Sequence, residues 1–435
     1  MIKAQLVART FETRNSAKSI LTGDMDFDIN LDAKLLAGKA AGICYMPDDY
    51  LSEGINDTEK CLKRADLTAK NGHYSTWEHM SVSILFTNIP KIMSMTLNNL
   101  KYYAASEKSA RYTKMEDTHP LCNNKYNKWL NKFKKLIDVS YGDILSEKEI
   151  EKKAQENARY MLSVFTPTTE LYTVPYGRLM MLISYLSITA NKFEDMRLFS
   201  NSVFKTKYAK ACNELVDAIC EALKIDRNNL PLYDKKFIKI PLFLPNNYSK
   251  SLEKTPMIKK YDYFGDTYTY TYEGSFAQLA QAQRHRTLDY TISEIRDVDA
   301  ILPKFYIPKI LNSKLADEWI ADLREIYKEN IIPQAYMVNI TEQGTVENFA
   351  LKCTERLCNQ AQLEIALQTS ETLMRYYSLT KSDYAKQYLR GWVRVDICDD
   401  KINGVRRRCD CAYNCTNPDT LCKYKISFND NTKDI

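Results

Sequence analysis

Three short segments of this chain concentrate the residue types that do chemistry. His73-Tyr74-Ser75-Thr76-Trp77-Glu78-His79 sets two imidazoles, a hydroxyl and a carboxylate side by side, groups that donate or accept in fixed directions and so suit a cofactor or a metal. The spacing is not that of the HExxH zinc helix, because Glu78 directly precedes the second His. The same Ser75-x-x-Glu78 is also the pattern of a capping box that opens a helix. Ser106-Glu107-Lys108-Ser109-Ala110-Arg111-Tyr112, if extended, turns Glu107, Ser109 and Arg111 to one side, where a carboxylate, a hydroxyl and a guanidinium meet a phosphorylated ligand. A solvated surface strand carries the same pattern. Gln281-Ala282-Gln283-Arg284-His285-Arg286 ends a helix of small residues with a compact basic cluster, which either complements the helix dipole or meets an anion. The chain has only four His, and three of them fall in these segments.

The elements that must position these residues follow from hydrophobic spacing. Residues 1–10 alternate as a strand, and 31–42 and 58–70 read as amphipathic helices. The His73–His79 string is loop-like, 80–88 is a strand, and 90–101 is a helix opened by Pro90. Helical spacing runs from about 124 to 225, interrupted by the breaker-containing TPTTELYTVPYG at 166–177. The proline-rich 226–262 marks a boundary. Beyond it, 264–273 is a strand, 275–283 a helix, and 314–330 and 346–377 long helices. The order of strand, helix, basic segment and long helices thus occurs twice, which reads as a diverged tandem duplication.

Length and composition agree. The chain has 435 residues, against roughly 100–200 for one ordinary domain. Hydrophobic residues make up 45% and charged residues 27%, and 12 Gly and 13 Pro argue against a loop-rich chain. The charge of +6, from 61 basic and 55 acidic side chains, is too mild for a general nucleic-acid binder and points to a local anion site. No apolar run is long enough to span a bilayer and the start lacks a signal peptide's core, so the expectation is a cytoplasmic protein without a membrane partner. The predicted fold class is α+β: two homologous blocks, 1–230 and 231–395, each an antiparallel sheet flanked by long helices, then a Cys-rich extension at 396–435.

Together the three segments resemble the flavin-dependent thymidylate synthase family. Its signature is an Arg-His-Arg triplet followed by Glu-x-Ser-x-Arg-Tyr and preceded by a His-x-Ser/Thr-x-x-Glu-His string. Here the signature is split. The first block matches the early string with His73, Ser75, Glu78 and His79, and the signature's end with Glu107, Ser109, Arg111 and Tyr112, but has Asn99, Leu100 and Lys101 at the triplet. The second block has Arg284, His285 and Arg286 at the triplet, but Ile292, Glu294, Arg296 and Asp297 at the end positions. Downstream, Arg159 matches the family's Ala-Arg segment, where the second block has Glu329. Arg356, ahead of Ala361-Gln362-Leu363-Glu364-Ile365, matches the family's substrate Arg, where the first block has Leu186.

The resemblance implies a dUMP site in which Arg111, Arg159 and Arg284 hold the phosphate. Gln281, Ser109, Glu107 and Tyr112 line that site, and Arg356 stabilises charge developing on the uracil. His73, Ser75, Glu78, His285 and Arg286 become the contacts of FAD and folate, with methylenetetrahydrofolate and NADPH as co-substrates. Arg356 and Arg284 are the catalytic candidates. Family members are tetramers of subunits about half this length, with sites shared between subunits. The resemblance therefore implies a fused pair carrying one composite site, and two chains forming the tetramer-like body as a homodimer. Thr345 and Glu347 stand where the family has a flavin-binding Asn and Arg, and Gln360 where it has a His. That leaves two alternatives: an enzyme making a different C5 product, such as a hydroxymethylase, and a non-catalytic nucleotide-binding relative.

The C-terminal cysteines lie outside the resemblance. Cys409, Cys411, Cys415 and Cys422 form the natural set for a structural zinc, with free thiols as the other reading. The seven earlier cysteines, scattered through the blocks, are expected to be reduced.

Overall fold

The computed structural model describes residues 1–10, 28–45, 52–99, 103–143, 145–191, 202–229, 267–292, 303–357, 361–392, 395–397 and 405–407. The zinc candidates Cys409, Cys411, Cys415 and Cys422 lie outside these residues, as do Arg296 and most of the 226–262 boundary.

The first block opens with β1 (Lys3–Arg9), then helices α1 (Ile29–Tyr45), α2 (Glu53–Asn56) and α3 (Thr58–Lys70), and a short 3-10 turn at Tyr74–Glu78. Asp57 caps α3 by accepting from Lys60 N (2.9 Å). Next come β2 (Ser81–Pro90), α4 (Lys91–Leu97), β3 (Ala104–Glu107), α5 (Pro120–Tyr141), α6 (Glu147–Ala158), a 3-10 turn at Arg159–Met161, β4 (Pro167–Pro175), α7 (Tyr176–Asn191) and α8 (Ser202–Leu223). The strands form an antiparallel sheet in the order β1-β2-β4-β3. Alternation explains the buried face: Val82, Ile84 and Phe86 on β2 and Tyr172 and Val174 on β4 are fully buried.

The second block runs β5 (Thr267–Ser275), α9 (Phe276–Ala282), β6 (Asp289–Ile292), α10 (Ser313–Lys328), β7 (Met337–Thr345), α11 (Val346–Arg356), α12 (Leu363–Leu379) and α13 (Asp383–Trp392), followed by a hairpin of β8 (Val395–Ile397) and β9 (Val405–Arg407). Its sheet is antiparallel in the order β5-β7-β6, the order of β2-β4-β3. In both sheets a four-residue strand pairs with the same central stretch of a nine-residue strand: Ala104↔Thr173 to Glu107↔Glu170, and Asp289↔Gln343 to Ile292↔Ile340. The seven-residue helices α4 and α9 precede those short strands at the same spacing.

The blocks share one core. Trp129 of α5 meets Trp319 of α10 edge-on (4.8 Å), and its Nε1 donates to Asp322 (2.8 Å), which also accepts from Lys125 (2.7 Å). Around a bridge between Ser163 and Pro333, Val164 N donates to Ile332 O (3.0 Å) and Gln334 N to Leu162 O (2.7 Å). No helix among the described residues is long and apolar enough to cross a membrane. Five of the described cysteines are buried free thiols and Cys44 is an exposed one.

Several expectations need correction. The segment at 166–177 is β4, a central strand: its prolines stand at the two ends, Pro167 and Pro175, where the ladder tolerates them. The strand β7 lies ahead of what reads as one helix at 346–377, and that helix is two, α11 and α12. The stretch 106–112 is extended only to Glu107. Tyr112 N and Thr113 N then donate to Ser109 O (3.2 and 3.0 Å), so Ser109 and Arg111 are presented from a turn. No capping box forms at Ser75. His73 precedes the 3-10 turn and makes no side-chain cap bond.

Candidate functional site

Arg159 sits on the 3-10 turn that ends α6 and is buried. Its Nη2 donates to Ala277 O of α9 (3.3 Å) and to Gln362 Oε1. Gln281, buried on α9, donates its Nε2 to the same oxygen. The Nε2 of Gln362 in turn donates to Tyr160 Oη, and that hydroxyl donates to Glu364 Oε2 (2.5 Å). Ser275, the cap of α9, completes the chain by donating from N and Oγ to the Glu364 carboxylate (2.9 and 2.7 Å). First-block Arg159 and second-block Gln281 are thus joined at one amide. Two buried atoms of this network, Arg159 Nε and Gln281 Oε1, have no protein partner. A buried orphan donor and a buried orphan acceptor in one network are the mark of a place made for a polar ligand.

Arg111 approaches from the turn after β3. Its Nε donates to Glu156 Oε1 (2.7 Å) and its guanidinium lies 5.2 Å from the centre of the Tyr112 ring. Burial would raise the Glu156 pKa, but Lys153, Arg111 and Arg159 hold it below the usual carboxylate range. Ser109 Oγ accepts from Arg111 N (3.3 Å), fixing the turn. Glu107 is engaged elsewhere, in an ion pair with Lys91 (2.6 Å).

The triplet and Arg356 complete the cluster. Arg284, just beyond α9, is exposed and has no ion-pair partner among the described residues. His285 is buried, and its Nε2 accepts from Arg356 Nε (2.6 Å). Burial, then the charges of Arg356, Lys352 and Arg284, hold the His285 pKa well below its ordinary value. The imidazole is therefore neutral, its proton on Nδ1. Burial also lowers the Arg356 pKa; Glu355 offsets part of this, while Arg111 and Arg284 lower it further. Arg159 likewise feels Arg111. Four guanidinium groups, two from each block, act on one another here, so the region carries a positive potential. Arg286 turns to the first block, donating to Ala105 O (3.2 Å) and stacking on Tyr103 (5.3 Å).

The His73–His79 string is not brought into this cluster. It packs on α1, α3 and α7, with His73, Ser75 and His79 exposed and without side-chain partners among the described residues. Glu78 instead pairs with Arg178 of α7 (2.6 Å). Sequence reasoning missed Gln362, Tyr160, Glu364 and Glu156. Gln362 and Glu364 stand in the segment that carries the family resemblance, which was the one signal for them. Beside Gln362 a small cleft, open to solvent, lies between α6 and residues 306–310 and is lined by Lys153, Glu156, Tyr306 and Lys309 among others. Among the described residues no group of His, Cys, Asp and Glu is arranged to hold a metal.

Residues 28–206 match the family model described as thymidylate synthase complementing protein. Among solved structures, the chain is similar to thymidylate synthase X from Helicobacter pylori with FAD and dUMP. Identity is 18%, covering 53% of this chain and 97% of that one, with a TM-score of 0.28. It is also similar to a UMP/dUMP methylase, PolB, from Streptomyces cacaoi bound with 5-Br dUMP, at 16% identity over 51% of this chain and 89% of that one, again with a TM-score of 0.28. No curated protein matches the chain.

Proposed function

We propose that the chain, whose residues 28–206 match the family model described as thymidylate synthase complementing protein, transfers a one-carbon unit from methylenetetrahydrofolate to C5 of dUMP at one composite site per chain. The observation that carries this reading is the convergence of Arg111 and Arg159 with Gln281, Arg284 and Arg356 on one positively charged region. Each block supplies the set that the other lacks.

Two blocks derived by duplication make sense of the loss. The two sheets share strand order and pairing register. The Ser163–Pro333 bridge joins positions equidistant from the starts of β4 and β7, and the two backbone bonds around it are related by exchange of the blocks. That reciprocity is what a two-fold interface between like subunits has. A fused pair has one strong site when each half keeps one complementary set. Two chains then form a homodimer with the body of a four-subunit assembly.

In this site Arg111, Arg159 and Arg284 bind the phosphate dianion, for which rigid guanidinium forks suit better than point charges. Arg159 Nε and Gln281 Oε1 gain the partners they lack in the protein alone. Ser109 and Gln281 orient the phosphate and sugar. Arg356, aimed by His285, lies along the uracil and stabilises negative charge on the ring as C5 becomes nucleophilic. FAD, when bound, supplies the reducing equivalent that converts the transferred carbon to a methyl group, with NADPH restoring the reduced form. The exposed donors of His73, Ser75 and His79 fit such a cofactor, and Arg286 offers it a cation. Glu78, occupied by Arg178, does not.

A different C5 product is favoured by one observation. Thr345 caps α11 by accepting from Asn348 N (3.4 Å), and Glu347 accepts from Tyr384 (3.3 Å), so neither offers what the family's flavin-binding Asn and Arg do. The test is a visible spectrum of the purified chain and product analysis after incubation with 5-tritiated dUMP, methylenetetrahydrofolate and NADPH. A yellow protein, tritium release and dTMP support the reading. Tritium release with another product supports altered C5 chemistry. A colourless protein that takes up no FAD and releases no tritium favours the non-catalytic reading, and the proposal is lost.

A further inference from the structure

Gln362 has no assigned contact with the nucleotide, yet it joins Arg159 and Gln281, the groups that the two halves bring to the site. It is buried at the N-terminal cap position of α12 but makes no cap bond. Its side chain is fully committed in one orientation: Oε1 accepts from Arg159 and Gln281, and Nε2 donates to Tyr160. A flipped amide would set its NH2 group against two donors and its oxygen against a hydroxyl already donating to Glu364. The orientation is therefore locked from Ser275 through Glu364 and Tyr160.

We propose that Gln362 is the positioning residue of the nucleotide site: by taking Arg159 Nη2 and Gln281 Nε2 on one amide oxygen, it holds the two side chains together and leaves Arg159 Nε, which has no protein partner, for a phosphate oxygen of the ligand. This rests on the nucleotide reading above and adds how the site is assembled from two blocks. A neutral acceptor is the required chemistry. It holds the guanidinium through one nitrogen without cancelling its charge, so the charge remains for the ligand. A carboxylate at this position would hold Arg159 too, but as an ion pair that competes with the incoming phosphate, and it could not donate to Tyr160.

The test compares the binding of dUMP and deoxyuridine to the full chain by titration calorimetry for the wild type, Gln362→Leu and Gln362→Glu, with thermal melting of each. Gln362→Leu is expected to weaken dUMP binding by about tenfold or more, the scale of one lost bond to a charged group. Deoxyuridine, which has no phosphate, should bind as it does to the wild type. Gln362→Glu should also weaken dUMP selectively, although it preserves the side chain's shape. Equal loss of both ligands with a lowered melting temperature would make Gln362 a merely structural residue and overturn the inference, as would unchanged dUMP binding in both variants. A wild type that binds deoxyuridine but gains nothing from the phosphate would defeat the inference at its root. A wild type that binds neither ligand would instead defeat the nucleotide reading on which it rests.

Discussion

At the scale of residues, charge and burial separate the side chains that act from those that support. Arg356→Ala removes a guanidinium only 13% exposed and leaves His285 without its donor. Turnover should fall at least about a hundredfold in single-turnover assays, the range of a lost oxyanion-type contact, with the fold intact by circular dichroism. Arg296→Ala, at the second block's counterpart of Arg111, should leave activity within about twofold. Equal effects would contradict the division of the site between blocks. Glu170 offers a test by pH. It is fully buried opposite Glu107 on β3, and burial first, then the Glu107 charge, push its pKa up to about 8. A carboxyl raised in the folded state stabilises the fold below its unfolded value, about 4.3, and that contribution fades as pH rises toward 8. Glu170→Gln should flatten this slope and melt higher than the wild type at pH 8. Identical pH dependence would show that Glu170 is already ionised. The arginines and His285 were legible in the sequence because their types are rare and their spacing distinctive. Gln362 and Tyr160 were not, since amides and phenols occur throughout the chain and only their meeting across 202 positions gives them a role.

At the scale of elements, the site depends on α5 and α10 holding the blocks together, because Arg159 follows the layer built on α5. Trp319 is fully buried against Trp129, Phe133 and Tyr160. Trp319→Ala should cost about 3–5 kcal/mol, read by denaturant unfolding, and weaken dUMP binding in proportion to the loss of fold. A loss under 1 kcal/mol, or about that, would mean the blocks are held elsewhere. Helix and strand periodicity found most elements, and α3 and α9 fall within a residue or two of expectation. The central strands β4 and β7 were hidden for physical reasons. On β4 the buried Thr168 and Glu170 do not read as core, and prolines at both ends look like breakers although the ladder lacks nothing there. On β7 the buried Glu342 is paired with Lys352 (2.5 Å) and accepts from the Tyr268 hydroxyl (2.5 Å), a pairing that composition cannot show. The turn at Ser109 was missed because two backbone bonds to one carbonyl, not a Gly or Pro, create it.

At the scale of the whole molecule, the two sheets, the reciprocal bonds at Ser163 and Pro333, and the division of arginines between blocks fit one idea: a subunit-sized unit present twice in one chain, with one of two potential sites kept. Where Arg111, Arg159, Arg284 and Arg356 meet, the alternative placements hold Arg296, Glu329, Asn99 and Leu186, a set with one cation and one anion that has no net charge to offer a dianion. The repeated order of elements was readable from the sequence, and the resemblance implied a composite site; which side chains join the halves was not readable, because contacts between positions about two hundred residues apart leave no local pattern. The most direct measurement is the stoichiometry of dUMP binding to the full-length chain by titration calorimetry with active protein concentration fixed independently. One nucleotide per chain, abolished by Arg159→Ala in the first block and equally by Gln281→Ala with Arg284→Ala in the second, is the predicted result. Two nucleotides per chain, or one that survives the removal of either block's set, would contradict it.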